Sequence, residues 1–151
     1  ILALMEDSFR RLDAYVRRVP GDLPPDRRVL EFCFAYMDFG RENPADLRCI
    51  LSATSQDLPA GVDRTLGLEA ARLISETFRE GVEQGSFRMP GGLTPAETAY
   101  QLWALVHGMT VLEGIDLTTV AGGISANPRR ILEAFVAGLR HENTLTEIKG
   151  D

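Results

Sequence analysis

The sequence is short of several residue types at once. It holds two cysteines, two histidines and one tryptophan among 151 residues, and Lys149 is its only lysine. Cys33 and Cys49 form neither a CxxC pair nor a disulfide-rich framework, which points to a reducing cytoplasm. No stretch of about 18 apolar residues exists, which excludes an ordinary membrane-spanning helix. GxSxG, GxxxxGK[ST], HExxH and GxGxxG are all missing, so the common nucleophile, phosphate, zinc and dinucleotide signatures are excluded. Basic charge is also scarce. Sixteen Arg and Lys stand against 22 Asp and Glu, a net charge of −6. An acidic chain is poorly suited to wrapping a phosphate backbone. The extreme preference for Arg over Lys suits a GC-rich bacterial genome.

What is present is ordinary for a globular domain: 44% hydrophobic and 25% charged residues, with apolar content too high for general disorder. Pro and Gly divide it into helical lengths. Leu2 to Val19 carries apolar residues at helical spacing, and Pro20-Gly21 ends it. Val29–Phe39 is apolar at nine of eleven positions, broken only by Glu31 and Asp38. A helix apolar on nearly every side has to be a central one, covered by others. Asn43-Pro44 interrupts the chain, and a short helix runs to about Ala53. Ser55–Gly61 reads as a loop, and Val62–Gln84 as a long amphipathic helix stopped by Gly85. Thr94-Pro95-Ala96-Glu97 combines a capping residue, a first-turn proline and a capping-box glutamate. The helix it starts runs to about Gly114. After a glycine-containing loop to Ala126, Asn127-Pro128 opens a last helix to about His141. The pattern predicts six helices and no strand, an all-α fold.

Chemistry-bearing residues are few. His141 near a helix end needs no function. His107 lies mid-helix in an apolar run. It suits a core or interface imidazole, a ligand contact or, least well, a metal ligand without companions. Asp38 and Glu31 are either polar anchors facing a pocket or the exposed edge of the central helix. The pairs Arg10-Arg11, Arg17-Arg18, Arg27-Arg28 and Arg129-Arg130 read as solvated faces. No catalytic set, cofactor or metal site is expected.

Wound at about 100° per residue, the Thr94–Gly114 helix places Tyr100, Trp103, His107 and Thr110 on one face. Leu102, Leu105, Met109 and Leu112 lie on a second, and small Ala104, Gly108 and Val111 on a third. The last helix has a comparable stripe of Ile131, Ala134, Phe135, Gly138 and Leu139. Helices apolar on more than one side in so short a chain call for a second copy. A two-fold dimer would bury these two stripes in a four-helix interface.

The run Trp103-Ala104-Leu105-Val106-His107-Gly108 resembles the Trp…His-Gly motif of one branch of the TetR (tetracycline-repressor-like) regulators. The stretch Phe34–Pro44 is similar to that family's fifth helix, which ends at an Asn-Pro. The resemblance implies a cytoplasmic, ligand-responsive transcriptional regulator, most often a repressor. Residues 1–19 would be its linker helix, 20–142 its ligand-binding and dimerisation domain, and 143–151 a tail. It also implies that a helix-turn-helix domain belongs upstream of Ile1, so that operator DNA is reached only through that segment. A homodimer then presents two recognition helices about 34 Å apart, and a small, mostly apolar effector changes that spacing. Cys33, Tyr36, Met37, Ile74, Phe78, Trp103, His107 and Thr110 are the expected effector contacts. The competing reading is a small helical interaction or adaptor module without a ligand pocket.

Overall fold

A computed structural model describes residues 2–54, 68–115 and 127–140. Six α-helices are present among them: α1 Leu2–Val16, α2 Pro25–Glu42, α3 Pro44–Thr54, α4 Leu68–Glu83, α5 Pro95–Leu112 and α6 Pro128–Ala137. The fold is all-α. The one β-type pairing among the described residues is an isolated bridge between Phe87 and Arg140. The expected loop Ser55–Gly61, the first residues of the expected Val62–Gln84 helix, most of the loop before Ala126, His141 and the tail lie outside the described residues.

α2 is the axle. It packs on each of the other five helices, as its nearly uninterrupted apolar character requires. Val29, Phe32, Cys33, Phe39 and their neighbours are buried along it. Pro24 and Pro25 start it where a missing N–H costs nothing. α5 begins at the foreseen capping box, with Thr94 Oγ1 accepting from the Glu97 amide and Glu97 accepting from the Thr94 amide. Asn127 caps α6 by accepting from the Arg130 amide.

Two ends differ from the sequence pattern. α1 stops at Val16 rather than Val19, because the chain tightens into i→i+3 bonds from Arg18 to Tyr15 and from Val19 to Val16 before Pro20. α6 stops at Ala137 rather than near His141. Leu139 is drawn into the core, and its carbonyl accepts from the Arg88 amide, which ties the end of α6 to the turn after α4. Phe87, in that turn, fills the core against Phe78 with ring centroids 5.5 Å apart.

Candidate functional site

α1 is strapped to α3 by polar groups. Ser8 Oγ lies 2.7 Å from Asp46 Oδ1, and Arg11 donates to Asp46 Oδ2 at 2.7 Å. Ser8 is wholly buried and Asp46 nearly so. The Ser8 hydroxyl, with Arg11, holds the Asp46 carboxyl below the usual aspartate range. Further along α1, Tyr15 hydrogen-bonds to Glu42 and accepts from Asn43 Nδ2, joining it to the end of α2. No periodicity announces these pairs, since their members stand 27 to 38 residues apart.

The chemistry that stands out lies between α2 and α5. The Tyr36 hydroxyl is 2.5 Å from His107 Nδ1. Trp103, one turn before His107, sets its ring against the imidazole at 5.8 Å and 64°, an edge-on arrangement. Burial pushes the Tyr36 phenol up to about 12 and the His107 imidazole below its ordinary value. Both groups are therefore neutral near pH 7. The sequence marked the two residues separately, but nothing in it pairs positions 71 apart.

The expected effector contacts do not share one environment. Cys33, Met37, Ile74 and Phe78 are packed into the core around α2 and α4. Trp103 is 40% exposed. The helical face grouped as Tyr100, Trp103, His107 and Thr110 is open at one end and closed at the other. Tyr100 is 67% exposed. Thr110 is buried, donating to the Val106 carbonyl at 2.7 Å. α2 covers that end of α5 because Gly40 permits close approach; a Cβ there would lie 2.6 Å from Thr110 Cγ2. Cys33 is inert, its thiol pushed up to about 12 by burial.

Further round the same open side of α5, Ala104, Val111 and Leu112 are exposed, and among the described residues a Cβ at Gly108 would meet nothing within 4 Å. Ile131, Ala134 and Gly138 of α6 are exposed too, Phe135 is half-buried against the core, and Leu139 is inside the chain's own fold. Glu31 and Asp38 are half-exposed and ion-paired with Arg27 and Arg41. Arg10, Arg11, Arg17 and Arg28 also have acidic partners. Two surface grooves of about 480 and 470 Å³ open at the end of α1, one toward α4 and one along α2, and are lined by a mixture of charged and apolar side chains that does not include Tyr36, Trp103 or His107. Among the described residues no group of three or more His, Cys, Asp or Glu could hold a metal ion, and no helix is long and apolar enough to cross a membrane.

A central apolar helix packed on by five others, with an outward apolar side on the penultimate one, makes an all-α helical domain. The family described as tetracyclin repressor-like, C-terminal domain matches residues 29–139, and the chain belongs to it. It is therefore the kind of domain found in ligand-responsive transcriptional regulators. A solved structure described as "Structure of a protein with unknown function from Rhodococcus sp. RHA1" is similar in fold. Its TM-score is 0.74 at 20% identity, over 93% of this chain and 71% of that one. No curated protein matches the sequence.

Proposed function

We propose that this chain is the effector-binding and dimerisation part of a repressor that acts through a DNA-binding segment preceding α1. The observation that carries the reading is the uncovered side of α5. Tyr100, Trp103, Val111 and Leu112 are all at least 40% exposed, around an open space at Gly108. So many large apolar groups on one helix call for a cover. A second copy supplies it if α5 and α6 meet their mates across a two-fold axis. The interface then comprises Ala104, Gly108, Val111, Ile131, Ala134, Phe135 and Gly138, with Leu139 anchoring α6 from inside.

The effector enters beside Trp103 and His107, where the polar Tyr36–His107 pair interrupts apolar packing, and reaches toward Cys33, Met37, Ile74, Phe78 and Thr110. A molecule held there changes how α5 lies on α2. That change alters the separation of the two α1 helices and so of the DNA-reading segments. It can do so only by its differential affinity for the two arrangements.

Sedimentation equilibrium on this chain should show a dimer at micromolar concentration. The protein extended upstream through its helix-turn-helix should bind DNA near its own gene and release it when a molecule that perturbs Trp103 is added. A persistent monomer, or an extended protein indifferent to DNA, would overturn the proposal.

A further inference from the structure

A neutral imidazole has one N–H and one lone pair, so the Tyr36–His107 contact admits two arrangements. Either the phenol donates to Nδ1 and Nε2 carries the ring proton, or Nδ1–H donates and the phenol hydrogen must find another acceptor. Tyr36 is 6% exposed, and His107 Nδ1 is the one hydrogen-bond partner of its hydroxyl among the described residues. The second arrangement therefore strands a buried donor, at a cost of about 1–3 kcal/mol. A doubly protonated ring fails the same accounting, and burial already disfavours it. Only the first arrangement leaves no inward-facing group unsatisfied.

That arrangement fixes what the other side of the ring offers. Nε2–H has no hydrogen-bond partner among the described residues. It is not sealed in the core either, because the single buried side-chain polar atom left without a partner among them is Asp13 Oδ1. His107 thus presents one oriented donor beside the Trp103 ring. Along α5 no ionised side chain stands between Glu97 and Glu113, and the buried positions flanking Tyr36 on α2 include Cys33 and Met37. On this face of α5 an anion would find no countercharge, and an ammonium group would meet a donor where it needs an acceptor.

Building on the effector site proposed above, we infer that His107 Nε2–H is its recognition donor and that the effector is a neutral, largely apolar molecule bearing an oxygen acceptor, such as a ketone, ester, lactone or amide carbonyl. Tyr36 is the positioning residue. By donating to Nδ1 it holds the ring in the Nε2–H form, and it never touches the ligand itself.

Two measurements test this. Long-range ¹H–¹⁵N NMR of the labelled chain at pH 7.5 should find His107 protonated at Nε2 alone, and Tyr36→Phe should shift it toward a mixture of tautomers. Titrations then compare matched probes, acetophenone with ethylbenzene and cyclohexyl methyl ketone with ethylcyclohexane, read at His107 and at the Trp103 indole N–H. Each ketone should bind about 3- to 10-fold tighter than its hydrocarbon, the worth of one net hydrogen bond, and His107→Phe should erase the difference. Equal binding within each pair, with Trp103 still responding, overturns acceptor recognition while leaving the effector site standing. No response from either pair at either residue overturns the site, and the inference with it. A wild-type ring protonated at Nδ1 overturns the inference whatever binds, so the test survives even if His107→Phe does not fold.

Discussion

A methyl group at Gly81 has nowhere to go. An ideal Cβ there would sit 2.2 Å from Phe87 Cδ2, and Phe87 is itself locked in the core. Gly81→Ala should therefore destabilise the chain by about 1–3 kcal/mol despite the better helix propensity of alanine, measurable by urea denaturation. Neither residue was legible beforehand. Phe87 lies in a stretch that punctuates as a loop, and its neighbour Arg88 is tied to Leu139, a contact across a third of the chain. His107 makes a second prediction at this scale. Its folded pKa is lowered by burial, so the unfolded chain binds the proton more readily. The stability this represents is complete above the ordinary histidine value near 6.5 and is lost as pH falls from there through the folded value. His107→Phe should flatten the slope of melting temperature against pH in that window. Asp13 runs the other way. Burial and then Glu69 raise its pKa, so it weakens the fold at neutral pH. Asp13→Asn should raise the melting temperature at pH 7 and confer nothing at pH 3, where the carboxyl is protonated in both states.

At the scale of elements, the apolar arithmetic of α2 and the start signals of α5 and α6 were legible. These features are local: nine apolar positions in eleven, a Thr-Pro-x-Glu, an Asn-Pro. The ends of α1 and α6 were not, because turns and tertiary bonds decide them. The wheel of α5 misled for a related reason. The face it groups spans a wide arc, with Tyr100 at the open edge and Thr110 at the edge that meets α2 at Gly40. The strap between α1 and α3 was invisible, since Ser8, Arg11 and Asp46 are unremarkable residues until the fold assembles them. It holds most of the polar contact between those two helices. Asp46→Ala should cost about 0.5–1.5 kcal/mol by removing the acceptor that Ser8 and Arg11 share, the Ser8 hydroxyl keeping the Leu4 carbonyl at 3.0 Å. Because the Asp46 pKa is lowered, this contribution is present above the unfolded aspartate value and disappears as pH falls through the folded one. The gap between wild type and variant in thermal melts should therefore narrow as the pH falls below the ordinary aspartate value.

For the molecule as a whole, Gly108 is the position that tests the proposed dimer. Glycine within a helix costs about 1 kcal/mol relative to alanine or arginine, and among the described residues nothing within 4 Å of the missing Cβ requires it. A glycine held at a cost, with no neighbour in its own fold to demand it, fits a surface where another backbone comes close. Gly108→Arg should then have opposite effects at the two levels. In solution dilute enough to keep the proposed dimer apart, it should raise the resistance of the fold to urea by up to about 1 kcal/mol. At concentrations where that dimer would form, it should halve the mass seen by sedimentation, because a long charged side chain would stand where the proposal brings two α5 helices together. The corresponding change at Gly21, a turn position that also has open space around it, should leave the mass unchanged. An intact Gly108→Arg dimer would place the interface on some other side of the molecule, and the proposed effector site at Trp103 and His107 would lose the neighbour that the proposal uses to link it to the spacing of the α1 helices.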